Sequence, residues 1–347
     1  MFLKNAWYVA AWGEEITSSL QQLIVLGEKI CVYRNRDGEV IAMEDACPHR
    51  KLPLSMGKLK GDHVECGYHG LTFDCAGSCV WAPGEGRIPS NARVRTFPIH
   101  ERYGLVWIWM GNPAIASTED IIDIPNFDSP DWGINRGAAM ELQCNYLLMC
   151  DNLLDPTHVA WVHEGSFAQD ATKETPLKVT MAEQGVIVHR WMMDVEPAPF
   201  YKKVVEFDGN CDRLQHYEVR YPAHALVRAV FTPAGTGGTD GPLHDNTFVM
   251  DSYNFMTPTT ETETRYYWFQ LRNIRPDDEA LSQMMSDDVR HAFEEDRAVL
   301  DAVQIGLSTK TSPHIDLGID NGQLRFRRKL EAMIAEETLV DQQLEHT

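Results

Sequence analysis

Cys47-Pro48-His49-Arg50, followed by Cys66-Gly67-Tyr68-His69-Gly70, is the stretch on which the reading of the whole chain turns. Each short loop offers one thiolate and one imidazole, and sixteen residues separate His49 from Cys66. Two sulfur and two nitrogen ligands suit a tetrahedral zinc ion, or a [2Fe–2S] cluster in which two His replace two Cys on one iron. The spacing separates these. Zinc fingers usually open with paired Cys and close with paired His. Here each loop carries one of each, so each can give its Cys to one iron and its His to the other. Gly67 and Gly70 let the backbone approach bridging sulfides, and Pro48 stiffens the first loop. The cluster, ligated by Cys47, His49, Cys66 and His69, is the reading adopted. The alternative is a structural zinc site in a binding protein with no redox role.

Around these loops, residues 1–112 read as short strands divided by turns. Leu23-Ile24-Val25-Leu26, Ile30-Cys31-Val32-Tyr33, Val40-Ile41-Ala42-Met43 and Leu105-Val106-Trp107-Ile108-Trp109 carry the β-branched and aromatic residues, and Arg36-Asp37-Gly38 and Gly111-Asn112-Pro113 punctuate them. That pattern predicts a sandwich or small barrel with the two loops as hairpin tips. From Gly111 to Trp132 the chain is rich in Pro, Asp and Asn and reads as a linker. Beyond it, Tyr146–Leu154 reads as a helix, and Leu177–Met181 with Val186–Met192 as a hairpin. Leu214–Tyr221, Ala225–Phe231, Phe248–Phe255 and Tyr266–Leu271 read as further strands. Their short or loop-only connections imply an antiparallel sheet. A long helix, Asp277–Ile305, and a last one, Arg325–Leu339, complete a second domain.

The 347 residues suffice for two domains with a core each. Thirty-one Lys and Arg against fifty-one Asp and Glu leave a formal charge of −20, which repels phosphate backbones and anionic lipid and argues against nucleic-acid or membrane partners. No apolar run is long enough to span a bilayer, and Met1–Trp12 lacks the apolar segment of a signal peptide. Eight Cys in a chain this long read as reduced thiols, so a cytoplasmic protein is expected. Cys75-x-x-x-Cys79 brackets a Gly77 turn without a partner pair and reads as reduced thiols, and Gly235-x-Gly237 in the loop Ala234–Pro242 has no helix after it and reads as a flexible surface loop.

A second constellation lies in Asp151-Asn152-Leu153-Leu154-Asp155-Pro156-Thr157-His158 and its continuation to His163. Two His five residues apart do not share a face of a regular helix, but Pro156 should break the helix and allow an irregular turn to join them. A third ligand can come from Glu294, Glu295 or Asp296 on the late helix. The stripe Val289, Ala292, Phe293, Val299, Leu300 and Val303 marks its buried side and contains Asp296; Glu294 falls on the solvated side and Glu295 between. A carboxylate on an apolar stripe is costly unless paired or metal-bound, the bland option being a salt bridge to Arg272. His158, His163 and Asp296 would make the two-His, one-carboxylate set of non-haem Fe(II) oxygenases.

With the opening Asn5-Ala6-Trp7-Tyr8-Val9-Ala10 and the stretch Asp151–His163, the two Cys/His loops resemble the Rieske non-haem iron oxygenases, in the group that demethylates vanillate and dicamba and hydroxylates toluenesulfonate. The resemblance implies an α+β chain. Residues 1–112 would form an all-β Rieske domain, and residues 113–347 an antiparallel-sheet, helix-grip catalytic domain. It implies the same ligands, His158, His163 and Asp296, with Asn152 close to the iron. Asp155 would join His69 of one subunit to His158 of the next in a homotrimer. Asn254 falls where a dicamba-type relative has a substrate-binding His, a departure from that pattern. The implied activity is monooxygenation of a small aromatic acid by O2, either O-demethylation or methyl hydroxylation. Electrons would come from NADH through a separate reductase of flavin or ferredoxin type, since no plant-type cluster motif or nucleotide fingerprint occurs in the chain. Ring cis-dihydroxylation is the neighbouring alternative. Trp161, Phe255, Trp268 and Phe293 are candidate pocket walls, and Arg220, Arg228, Arg265 and Arg272 candidate anion anchors.

Overall fold

The computed structural model describes residues 1–84, 87–238 and 242–345, with side chains through 340. The chain forms two units: Met1–Ile121 with Thr257–Glu261 and Val340–Thr347, and Ile122–Met256 with Thr262–Leu339. The first boundary falls later than residue 112 because the presumed linker is tied down. The Trp7 indole donates to the Ser117 carbonyl at 2.7 Å, and the Asn112 amide to Asn5 Oδ1 at 2.7 Å.

In the first unit, β1 (Trp7–Trp12), β2 (Gln21–Val25), β3 (Glu28–Arg34), β4 (Val40–Glu44), β5 (Lys58–Lys60), β6 (His63–Glu65), β7 (Thr72–Phe73), β8 (Cys79–Trp81), β9 (Ile99–Arg102) and β10 (Leu105–Trp109) make three antiparallel sheets. Their orders are β1-β10-β9, β2-β3-β4 and β5-β6-β7-β8. All five residues of β10 are buried, as its aromatic and β-branched run demands. A second cluster packs Tyr33, Met43, Leu54, Val64 and Phe73 around Cys47 and Cys66, so both thiols belong to the core.

In the second unit, β11 (Gly133–Arg136), β12 (Met140–Leu142), β13 (Lys178–Ala182), β14 (Gly185–Val195), β15 (Cys211–Arg220), β16 (His224–Pro233), β17 (Phe248–Pro258) and β18 (Thr264–Arg272) form one sheet in the order β11-β18-β17-β16-β15-β14-β13, with β12 also on β18. The expected strands are all present, each longer by a few residues except β13, which keeps its length and shifts by one; β11 and β12 were not expected. The helices are α1 (Tyr146–Asn152), α2 (Val159–Val162), α3 (Ala171–Glu174), α4 (Glu279–Thr309) and α5 (Asn321–Glu345). Asp278 caps α4 by accepting from the Leu281 amide at 2.9 Å. The Phe293 ring of α4 meets Tyr266 and Trp268 of β18 edge-on at 5.2 and 5.3 Å, which seats the helix on the sheet.

No helix among the described residues is long and apolar enough to cross a membrane. In the loop Ala234–Pro242, residues 239–241 lie outside the described residues. The Gly235 and Gly237 amides donate to the Asp212 carboxylate at 2.8 and 2.9 Å, so a side chain of the same unit fills that nest. The Cys75 thiol lies 3.6 Å from the Tyr33 hydroxyl and the Cys79 thiol donates to the Trp81 carbonyl at 3.2 Å.

Candidate metal centres and active-site cavity

The two Cys/His loops are conformational twins. The Cys47 amide donates to the Leu52 carbonyl at 2.9 Å and the Lys51 amide to the Cys47 carbonyl at 2.8 Å. In the second loop, Cys66 donates to Leu71 at 2.8 Å and Gly70 to Cys66 at 3.0 Å, the same pattern at the same offsets. Both turns close through a left-handed residue four places after the Cys, Lys51 at φ 60° and Gly70 at φ 75°. Asp45 braces the first loop, its carboxylate accepting from the Ser55 amide and hydroxyl, each at 2.7 Å. The second loop caps the β6–β7 hairpin. The result is two buried thiols and two exposed imidazoles, with the His49 and His69 rings 4.6 Å apart. Burial, then the neighbouring Cys66, pushes the Cys47 thiol up, a cost that binding to iron as thiolate removes.

Among the described residues, one group of three His, Cys, Asp or Glu side chains brings a ligand atom from each within 4.8 Å of the others: His158, His163 and Asp296. No three of Cys47, His49, Cys66 and His69 do so. Bonds of about 2.0–2.3 Å to one tetrahedral ion would hold its donors within roughly 4 Å of each other. The wider spread fits two irons better than one tetrahedral ion.

The buried group is assembled from two distant segments. Asn145 caps α1 by accepting from the Leu147 amide at 2.9 Å, and α1 ends at Asn152. Pro156 follows, and the Asp155 carboxylate accepts from the Thr157 amide at 2.7 Å, which turns the chain into α2. His158 and His163 are the residues flanking that single turn, with ring centroids 5.3 Å apart. Arg190 on β14 straps the segment from below, donating to the carbonyls of Pro156, Thr172 and Thr175 at 3.2, 2.8 and 3.0 Å and to Gln215 at 2.7 Å.

Each imidazole has its Nδ1 engaged: His163 with the Glu295 carboxylate at 2.8 Å, His158 with the main-chain carbonyl of Asp155. Both acceptors require a proton on Nδ1, so in the neutral rings Nε2 carries the lone pair. Those two Nε2 atoms converge on Asp296 Oδ1, at 3.5 Å from His158 and 3.2 Å from His163. Lone pairs facing a carboxylate oxygen repel unless a proton or cation lies between, and this arrangement is the usual one behind metal-bound His. Asn152 donates to the same Asp296 oxygen at 2.9 Å, and its own buried Oδ1 has no partner. Burial alone would raise the Asp296 carboxyl, but His163, His158 and Asn152 outweigh it and hold it below the usual range. Burial would lower the His163 imidazole; Asp296 and Glu295 overcome that and raise it. The residues present therefore fit a divalent iron.

Asp296 is buried, whereas Glu294 pairs with Arg297 at 2.6 Å and Arg290 at 3.5 Å. The stripe argument erred at its far end, since Val299 and Val303 are exposed at 42% and 40%. It also gave Glu295 no role; the signal available was its position one residue before Asp296 on the same turn. Arg272 does not pair with Asp296; its guanidinium donates to the carbonyls of Arg275 and Asp278 at 2.9 and 3.1 Å. Within the chain the Asp155 side chain reaches Thr157, and its main-chain carbonyl, not its carboxylate, meets His158.

A cavity opens on this cluster, lined among others by Asn152, His158, His163, Asp296, Asn254 and Phe293. Asn254 is fully buried, donating to the Ser252 carbonyl at 2.9 Å and accepting from the Tyr266 hydroxyl at 2.6 Å. Of the expected walls only Phe293 lines it; Trp161 is exposed, and Phe255 and Trp268 lie in the core behind. The four candidate arginines are elsewhere. Arg220 pairs with Glu218, Arg228 with Asp251, and Arg265 lies 3.5 Å from Glu141.

Residues 6–98 match the Rieske [2Fe-2S] domain and residues 142–336 the vanillate O-demethylase oxygenase C-terminal domain. The chain belongs to the Rieske non-haem iron oxygenases of the vanillate O-demethylase type. It is 37% identical over 342 residues to the toluene-4-sulfonate monooxygenase system iron-sulfur subunit of Comamonas testosteroni, spanning 97% of this chain and 98% of that one. It is 34% identical to the vanillate O-demethylase oxygenase subunit of a Pseudomonas species, over 97% and 96% of the two chains. The crystal structure of dicamba monooxygenase bound to 3,6-dichlorosalicylic acid superposes with a TM-score of 0.88 at 29% identity, covering 97% of this chain and 99% of that one. The same enzyme has been solved with non-heme iron. The protein is thus a monooxygenase oxygenase component, and its cofactors are a Rieske [2Fe–2S] cluster and a mononuclear non-haem iron.

Proposed function

We propose that the protein is the terminal oxygenase of a multicomponent system that inserts one oxygen atom from O2 into the methyl carbon of a small aromatic acid. The observation that carries this reading is the convergence of His158 Nε2, His163 Nε2 and Asp296 on one point at the wall of a largely apolar cavity. Cys47, His49, Cys66 and His69 hold the cluster; His158, His163 and Asp296 hold the iron. When bound, these groups supply one-electron transfer and dioxygen activation. The protein does the rest. Cys47 and Cys66 keep one end of the cluster site in the core, and His49 and His69 present the other end at the surface. Glu295 and the Asp155 carbonyl fix the tautomers and tilts of His163 and His158. Asn152 orients Asp296. Phe167, Tyr217, Val227, Met250 and Phe293 exclude water and pack an aromatic ring.

The chain works as a homotrimer in which Asp155 of one subunit accepts from His69 of the next. Among the described residues the ring nitrogens of His49 and His69 have no hydrogen-bond partner within the chain. Asp155 and His158 also line a surface groove walled by exposed Val299, Val303, Leu307 and Ile315. NADH supplies electrons through a separate reductase, and the protein is cytoplasmic. A methoxy substrate hydroxylated at its methyl carbon collapses to a phenol and formaldehyde; an aryl methyl gives the alcohol. Turnover with a reductase and 18O2 across methoxy- and methyl-benzoates and toluenesulfonate tests this. One labelled atom in formaldehyde or alcohol supports it; two in a ring cis-diol would overturn it.

A further inference from the structure

The cavity contains a buried cation that the mechanism above does not use. Arg213 on β15 is 2% exposed and lines the same cavity as His163 and Asp296. Its Nη1 donates to neutral acceptors only, the Phe167 carbonyl at 3.2 Å and Gln169 Oε1 at 2.8 Å. Its guanidinium carbon lies 5.1 Å from the ring centroids of both Tyr201 and Phe231. Its Nε is buried without a partner, and among the described residues no carboxylate pairs with it. The neighbouring Asp212 carboxylate is taken up by the amides of Asp194, Gly235 and Gly237. Arg190, buried on the next strand, has Nε and both terminal nitrogens bonded and does not line the cavity. An unpaired buried charge is costly, and an unfilled N–H edge on a guanidinium is a fork shaped for a carboxylate or sulfonate.

We propose that Arg213 is the anion anchor of the cavity, binding the acid group of an aryl carboxylate or arylsulfonate through the edge that carries Nε. The proposal rests on the oxygenase reading above and adds the residue that selects acids over neutral aromatics. Rings lead from the ligand cluster to it: His163 to Phe167 at 6.2 Å, Phe167 to Tyr201 at 5.8 Å, then Tyr201 to Arg213. An aromatic ring between anion and reacting methyl packs along that path. Sequence reasoning passed over Arg213 in favour of four other arginines, though it alternates in phase with Gln215, Tyr217 and Val219 on the buried side of its strand.

The test is binding of 4-methylbenzoate, toluene-4-sulfonate and neutral 4-methylbenzamide to the iron-loaded protein by calorimetry, with KM and kcat beside it. Wild type should bind at least one acid about tenfold or more tighter than the amide. Arg213→Met should bring the acids to the amide's level through KM, leaving the amide's affinity unchanged. Arg213→Lys should keep part of the preference. Equal wild-type affinities for acids and amide, or equal weakening of all three by Arg213→Met, would overturn the anchor. If Arg213→Met does not fold, the wild-type ratio and Arg213→Lys decide. Oxygen insertion into neutral methyl ethers with no preference for acids would remove the anchor and leave the oxygenase reading standing. No oxygen insertion into any of them would remove that reading. The better-bound acid says whether carboxylate or sulfonate is the natural group.

Discussion

The Cys47–His69 loops and the His158–His163–Asp296 cluster draw on His and one other ligand type, but at opposite depths. In the loops the thiols lie in the core and the imidazoles are exposed. In the cluster His163 and Asp296 are 5% and 3% exposed, and each imidazole has a hydrogen-bonded partner behind it. The loops are held mainly by bonds within eight residues of each Cys, whereas the cluster is held by β14, α1, α2 and α4 together. An exposed imidazole pair suits exchange of electrons with another protein surface. A pair oriented from behind, with His163 buried and His158 half-buried beside a largely apolar cavity, suits chemistry from which water must be excluded. The difference also predicts which changes stay local and which spread.

The largest effect should separate the two sites outright. Asp296→Ala should abolish turnover and remove about one iron per chain while the visible spectrum of the cluster persists. Glu294→Ala, one residue from Glu295 but paired with Arg290 and Arg297, should do neither. Metal analysis and absorbance on the same samples check this. Loss of the cluster spectrum in Asp296→Ala would mean the sites are not independent. Next in size is Glu295→Gln, which weakens the acceptor behind His163 Nδ1. Metal affinity or activity should fall roughly tenfold to a hundredfold. Affinity like wild type would demote Glu295 to a surface residue.

How each region is held together decides how much of it was legible. The loops are encoded in adjacent residues, so Cys-x-His and Cys-x-x-His reveal ligands and chemistry together. The twin turns need only one residue at positive φ, and Gly70 advertises it where Lys51 does not. The sheet and long helix were legible because alternation and apolar stripes persist over many residues. Pro156 correctly foretold a break between helix and His pair. Arg190 was not legible, and Arg213 and Glu295 only in their placement, because the roles of all three depend on which strand or helix turn faces them. Arg272 shows the converse: composition nominated it, but its partners are carbonyls that folding alone brings near.

A middle-sized effect should expose that long-range support. Burial lowers the Arg190 guanidinium to about 10, so it is still charged at neutral pH. Arg190→Met would leave the Pro156, Thr172 and Thr175 carbonyls without their donor, at about 1–3 kcal/mol for each that finds no other. A lower melting temperature with looser iron binding and an unaltered cluster spectrum is expected. Equal damage to both chromophore and iron would contradict the asymmetry between the sites.

The smallest effect should touch neither metal. Glu218 projects from the face of β15 opposite Arg213 and Tyr217, where Arg220 and, at 3.4 Å, His216 Nε2 meet its carboxylate. Burial alone would raise this carboxyl, but the hydrogen bonds and charges of His216 and Arg220 prevail and hold it at about 2. A carboxyl depressed in the folded state stabilises it above the ordinary carboxylate range and loses that contribution as pH falls toward about 2. The contribution is of the order of 1–3 kcal/mol. Glu218→Gln should therefore lower the urea midpoint at neutral pH and flatten its decline between about pH 5 and pH 2. Iron content, cluster spectrum and the preference for acids should not move. A pH slope as steep as wild type would show that the charge pairing on this face contributes nothing to stability. A change in iron content would show that the outer face of the sheet is coupled to the cluster on its inner side.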